Sequence, residues 1–142
     1  MLLLMRWLHL SGAIAAVGGL LFLVAALLPA LRQADPEQAF LLMRDLLRRV
    51  RTLVWASLGV LLLSGVYAAG ADRPPAGPAY AVAFGVKTIL SVLFVIVAAV
   101  GVLPPARPEG LRRRADWLWL GLLLGTAVVF LSAYLRQLRL AA

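Results

Sequence analysis

Apolar residues run along this chain in four long blocks, separated by short stretches rich in arginine, proline and glycine. The blocks cover about residues 7–31, 53–69, 80–103 and 117–135. A helix needs about 20 apolar residues to cross the hydrocarbon core of a bilayer, and a soluble domain has no interior that could bury so much apolar surface. The pattern therefore predicts an all-α integral membrane protein, a single four-transmembrane-helix bundle that occupies residues 1–142.

Proline and arginine residues mark where the predicted spans end. Pro29 and Arg32 close the first span, whose apolar run is longer than the roughly 7–15 residues of a signal-peptide core, so we expect it to be retained. Two later connections are predicted loops: residues 70–79, with Pro74, Pro75, Gly77 and Pro78, and residues 104–114, with Pro104, Pro105, Pro108, Arg112, Arg113 and Arg114.

An amphipathic stretch lies between the first two spans, from Arg32 to Arg51. Its apolar residues recur at helical spacing among charged ones: Phe40, Leu41, Met43, Leu46, Leu47 and Val50. This pattern predicts a helix that lies at the membrane interface as a lead-in to the second span.

The arginines also predict how the bundle is oriented, because short loops rich in basic residues stay on the cytoplasmic side. The first and third connections carry nine of them: Arg32, Arg44, Arg48, Arg49, Arg51, Arg107, Arg112, Arg113 and Arg114. The opposite side carries four: Arg6, Arg73, Arg136 and Arg139. We therefore expect both termini to face the periplasm from a bacterial inner membrane, and we call this side the outer face.

Composition narrows the chemistry further. Hydrophobic residues make up 63% of the chain, and the mean hydropathy is +0.96. The net charge of +8 comes from residues beside the spans, which predicts contact with the lipid bilayer rather than with nucleic acid. Since the chain has no cysteine, disulfides, thiolate metal sites and covalent haem attachment are excluded.

Two polar residues stand out inside the spans. Lys87, the only lysine, falls about seven residues, or roughly 10 Å, inside the third span, and an intramembrane lysine is a candidate functional residue because its insertion is costly. Alternatively, Lys87 extends to the interface and anchors the helix. His9, the only histidine, lies near the outer face in the first span, as Lys87 does in the third, so close packing of spans one and three would bring the two together. The alternative for His9 is a plain hydrogen bond to a neighbouring helix.

Small and polar residues on the same helix faces as His9 and Lys87, together with those of the other two spans, predict that both side chains point into the bundle. They are Gly12, Ala13, Ala16 and Gly19 in the first span; Ser57, Ser64 and Tyr67 in the second; Ala83, Ser91 and Ala98 in the third; and Gly121, Gly125, Ser132, Tyr134 and Arg136 in the fourth. Every span thus contributes a polar group to the outer half of the bundle.

Three chemistries can use such a set. A neutral imidazole facing a bundle interior is a suitable axial ligand for haem b, with Lys87 as second ligand or proton carrier and with Arg6, Arg136 and Arg139 near the propionates of a haem or porphyrin. Met5 and His9, at i and i+4 after Met1, form a soft donor set for Cu(I). A quinone or another membrane redox carrier beside His9 and Lys87 is the third.

Five segments are similar to the membrane domain of copper resistance protein D, which is related to the HemJ-type protoporphyrinogen oxidases. They are RWLHL at 6–10, VGGLLF at 17–22, RRVR at 48–51, LSGVY at 63–67 and GVK at 85–87. The oxidase resemblance implies a haem-associated oxidoreductase that needs His9 and Lys87 to oxidise protoporphyrinogen. The copper resemblance implies copper uptake or delivery across the inner membrane.

The leading hypothesis is a small haem- or porphyrin-binding membrane protein with a redox role, which places His9, Lys87, Arg6, Ser64, Tyr67 and Arg136 at the cofactor. Copper binding through His9 and Met5 is the first alternative. A non-catalytic accessory subunit is the second alternative. One histidine per chain leaves coordination incomplete, so a homodimer is a further expectation.

Overall fold

The computed structural model describes residues 2–71, 78–107 and 109–141. Its elements are α1 (Leu2–Phe22), a π-helical segment (Leu23–Leu27), α2 (Leu28–Gln33), α3 (Pro36–Ala71), α4 (Pro78–Gly101) and α5 (Gly110–Ala141). Predictions that fall on Met1, Arg73, Pro74, Pro75, Gly77, Pro108 and the side chain of Arg139 lie outside this part.

Within the described residues, four helical stretches are long and apolar enough to cross a membrane, and these residues form no strand. The stretches are Leu3–Gln33, Pro36–Tyr67, Tyr80–Gly101 and Arg112–Leu138. Leu3, Leu63 and Phe130 are each about three-quarters exposed, which suits lipid as the surrounding solvent. The predicted fold class, all-α with four apolar spans, is confirmed.

The first span continues past its proline by widening its helix. Pro29 has no N–H for the carbonyl of Ala25, and its ring would crowd that carbonyl in a regular α-helix. The π-helical segment ends just before Pro29, where the Leu28 N–H bonds to the Leu23 carbonyl five residues back. The helix then ends at Gln33, because Ala34 is extended and Pro36 occupies the first position of α3.

The predicted lead-in is continuous with its span, and one predicted loop boundary is wrong. The amphipathic lead-in and the second span form one helix, α3, of 36 residues or about 54 Å, because residues 37–58 contain neither glycine nor proline. Arg112, Arg113 and Arg114 lie in the first turns of α5 rather than in a loop, since arginine is a good helix former and residues 111–120 contain neither glycine nor proline.

The helices pack as two pairs. Helix α1 lies along α3, α4 lies along α5, and α1 also contacts α5. The main core occupies the inner half of the bundle: Ala16, Leu20, Leu23, Val24, Leu27, Leu28, Leu31, Ala39, Met43, Leu47, Val54, Leu58, Phe94, Ala98, Val102 and Leu118. A second, smaller cluster of Tyr80, Ala83 and Leu135 joins α4 to α5 near the outer end. The candidate polar residues thus lie beyond the main core, towards the outer face.

Glycines set the two tightest helix contacts. A Cβ at Gly12 of α1 would lie 3.3 Å from the Ser57 carbonyl oxygen of α3. A Cβ at Gly125 of α5 would lie 2.8 Å from a ring carbon of Phe94 and 3.0 Å from a methyl of Val17. Small residues at helix crossings let backbones approach closely in membranes, and these two glycines serve that purpose here.

Candidate functional site

The imidazole of His9 is hydrogen-bonded across the bundle to α3. Its Nδ1 lies 2.7 Å from the Oγ of Ser64, a residue 55 positions away. Ser64 is only 3% exposed, and His9 is half-buried. Gly12, one turn further along α1, brings the two helices close enough for this bond to form.

The protons of this bond can be assigned from the contacts of Ser64. Its hydroxyl has one proton, which it donates to the Val60 carbonyl at 2.6 Å, with the Leu61 carbonyl at 3.2 Å. A carbonyl cannot donate, so the proton between Ser64 and His9 must come from the Nδ1–H of the imidazole. In its neutral form, His9 therefore carries its proton on Nδ1 and keeps a lone pair on Nε2. Nε2 is then a ligand or a proton acceptor, held in orientation by the bond at Nδ1.

Lys87 lies on α4 in the same outer half of the bundle. Its side chain is half-buried. Ser91, one turn inward, donates to the Lys87 carbonyl at 2.8 Å, so its hydroxyl is used within the helix. Lys87 and His9 thus both lie in the outer half of the bundle, on α4 and α1.

The helix pairing differs from the one that would bring His9 and Lys87 directly together. Close packing of spans one and three would do so, but among the described residues α1 lies along α3, and α4 lies along α5. The small face of α1 around Gly12 meets α3. Helices α1 and α4 are thus opposite members of the bundle.

The remaining predicted site residues lie around this pair. Tyr67 is one turn beyond Ser64 on α3 and is 38% exposed. Arg6 and Arg136 are exposed at the same end, on α1 and α5. Met5 is half-buried, one turn before His9 on the same face of α1. Ser57 and Ser132 each donate to the carbonyl four residues back in their own helices.

Two features near this end were not anticipated from sequence. The Val60 carbonyl, which takes the Ser64 proton, determines the tautomer of His9, and its only sequence signal is the i−4 spacing from a serine within a helix. Tyr80 is a buried residue stacked on Phe84, with ring centroids 6.2 Å apart. The described residues contain no group of three or more histidine, cysteine or acidic residues arranged to hold a metal.

Comparison with protein-family models, with curated proteins and with solved structures finds no match to this chain.

Because the chain has one histidine, nitrogen-15 labelling of histidine gives a single imidazole whose tautomer NMR can read directly. We expect the Nδ1–H form in the native chain and a shift towards Nε2–H in Ser64→Ala, which removes the acceptor. The lost interhelical bond should lower the free energy of unfolding by only about 0.6 kcal/mol, the average for such bonds in membranes.

Ser57→Ala is the matched control, since Ser57 is also buried on α3 but bonds only to the Leu53 carbonyl. It should leave the imidazole spectrum unchanged. An Nε2–H imidazole in the native chain would contradict the proton assignment.

Proposed function

We propose that this chain binds a haem or porphyrin in the outer half of its bundle and has a redox role, with the Nε2 of His9 as axial ligand. The observation that carries the proposal is the His9–Ser64 hydrogen bond. Histidines that ligate metals typically donate their other ring N–H to an acceptor, which orients the ring and raises its basicity. His9 has this arrangement, with Ser64 as the acceptor.

The surrounding residues fit such a group. Lys87 is the second ligand or the proton carrier, and Ser64 and Tyr67 line the α3 side. Arg6 and Arg136 are exposed at the same end, where guanidinium groups can pair with propionate carboxylates. Helix α4 packs along α5 far more than along α3, so a flat ligand between α3 and α4 displaces few helix contacts.

A bound haem would supply one-electron chemistry, and the chain supplies the rest. His9 holds the cofactor through Nε2 while Ser64 keeps its ring in orientation. Lys87 can release a proton when partly desolvated, unlike the arginines, so it is suited to hold or pass the proton that accompanies an electron. The bilayer excludes water from the site.

The proposal includes a bacterial inner membrane, with both termini periplasmic by the arginine count, and a quinone, protoporphyrinogen or another membrane redox carrier as the partner. A homodimer could supply the ligand that one histidine per chain leaves missing.

The test is a visible absorption spectrum of the detergent-purified protein, oxidised and dithionite-reduced, with metal analysis of the same sample. We expect a Soret band that shifts on reduction, with iron close to one per chain or per dimer. Protoporphyrinogen oxidation would then be assayed directly. A colourless protein that does not take up added haem would contradict the proposal.

Copper handling is the second candidate, and one observation favours it. Met5 and His9 are both half-buried one turn apart on the same face of α1, where a thioether and an imidazole together suit Cu(I). This candidate predicts a colourless chain that binds Cu(I) stoichiometrically and loses it in Met5→Leu. A chain that binds neither haem nor copper would instead be an accessory subunit.

A further inference from the structure

A cavity of about 460 Å³ opens at the end of the bundle opposite His9, where α4 is connected to α5. Among its lining residues are Arg107, Arg113 and Arg114, with Glu109 as the acidic one, so the described lining carries a net charge of +2. This cavity is independent of the proposed cofactor site. Its charge predicts an anionic ligand.

The guanidinium of Arg114 is held in place within the protein. Its Nη1 donates at 2.6 Å to the Val100 carbonyl near the end of α4, which also accepts the Leu103 N–H at 3.1 Å. A guanidinium has five N–H donors in a rigid plane, and this bond uses one of them. The bond therefore fixes the orientation of the guanidinium and leaves its other N–H donors available.

Arg113 lies at the junction of two cavities. It lines the main one and also an adjacent cavity of about 240 Å³, together with Asp116, Trp117 and Leu120. Asp116 offsets the charge of Arg113 on that side, so the lining of the adjacent cavity has no net positive charge. Pro105 on the loop side gives the main cavity an apolar wall.

The position of Trp117 indicates which kind of anion would fit the main cavity. It lines both cavities and is half-buried at the point where the apolar part of α5 begins. Tryptophan at the end of a membrane span lies at the level of the lipid headgroups. The arginines one turn before it therefore lie where lipid phosphates are, and the apolar surface of α5 beyond it lies where acyl chains are.

We infer that this cavity binds the phosphate of an anionic phospholipid headgroup, with Arg107, Arg113 and Arg114 as its donors. Guanidinium groups bind phosphate oxygens in pairs of parallel hydrogen bonds, and basic pockets at the ends of membrane helices recognise anionic headgroups. The lipid contacts the loop and both α4 and α5, so it ties these elements together.

The inference is tested by native mass spectrometry of the full chain in detergent, with phosphatidylglycerol and phosphatidylcholine added in equal amounts. We expect phosphatidylglycerol to be retained preferentially. Arg113→Gln and Arg107→Gln should each reduce its retention about tenfold, the effect of losing one charge-assisted contact. Arg107 lies in the loop, so its variant leaves the helices intact if Arg113→Gln does not fold.

Arg112→Gln is the matched control, because Arg112 is exposed in the same turn of α5 and does not line the cavity. It should change retention by less than about twofold. Equal losses in the Arg112 and Arg113 variants, or equal retention of the two lipids, would overturn the inference. Displacement of bound lipid by millimolar inorganic phosphate would instead assign the cavity to a soluble phosphate compound and also overturn it.

Discussion

On the proposed function, replacing His9 by alanine should lower the affinity of the chain for haem by more than about 100-fold. Losing the residue that is hydrogen-bonded to a metal ligand already lowers metal affinity about 10–100-fold, and removing the ligand itself lowers it further. Ser64→Ala should therefore weaken haem binding about 10–100-fold, through a mobile His9 ring, while the ligand atom stays present. The measurement is the height of the Soret band during titration with haem.

Ser57→Ala again provides the control, since it removes a buried hydroxyl from the same helix without touching His9. The order expected for haem affinity is native and Ser57→Ala, then Ser64→Ala, then His9→Ala. Equal affinities in all four proteins would refute His9 as ligand, even if the chain binds haem elsewhere.

Lys87→Met separates the two roles proposed for that residue, because methionine is an unbranched side chain one atom shorter than lysine and carries no charge. A change of the Soret band would assign Lys87 as the second iron ligand. An unchanged band with slower re-oxidation and a weaker dependence of the rate on pH would assign it as the proton carrier. Unchanged spectra and rates would exclude Lys87 from the site.

The four spans could be predicted because they depend on local composition. A run of about 20 apolar residues crosses a bilayer whatever its neighbours are, and the small-residue faces follow from helical periodicity. Whether a helix continues depends instead on residues that interrupt helices, such as glycine and proline. Hydropathy therefore placed the start of the second span near Leu53, although helix α3 runs unbroken from Pro36 to Ala71.

Pro29 is a second place where the sequence leaves the course of the backbone open. Its missing N–H predicts a local disturbance of the helix, but several backbone solutions relieve it, and the sequence does not distinguish an end from a widened turn. The structure has the widened turn, from Leu23 to Leu27, followed by one and a half further turns to Gln33.

The sequence singles out candidate site residues, but it does not show which residue each of them contacts. His9 and Lys87 stand out because polar groups within a span are costly, which is a property of each position alone. Which helix His9 meets depends on how the four helices pack, and lipid-facing and protein-facing sides are equally apolar in this chain. The Ser64 partner, on α3, and the resulting position of the imidazole proton follow from that packing.

Gly125→Leu should lower the free energy of unfolding by about 3 kcal/mol, the upper part of the usual range for overpacking. Even a Cβ at this position would lie 2.8 Å from the ring of Phe94, which is 4% exposed and packed within the main core. Val17 of α1 blocks the other side at 3.0 Å, so neither neighbour can move without disturbing a second helix. The effect is measured as loss of folded protein on heating in detergent.

Gly18→Leu is the control for the same change in size and hydrophobicity. Gly18 lies next to Val17 but is exposed, and a Cβ there would meet nothing within 4 Å. Its replacement should leave stability unchanged or raise it slightly, since leucine favours the helix more than glycine does. Shortening the obstructing ring in a Gly125→Ala, Phe94→Leu double variant should recover part of the loss caused by Gly125→Ala, because the two side chains compete for one space. Equal stabilities of Gly125→Leu and Gly18→Leu would contradict the close contact of α1, α4 and α5 at Gly125.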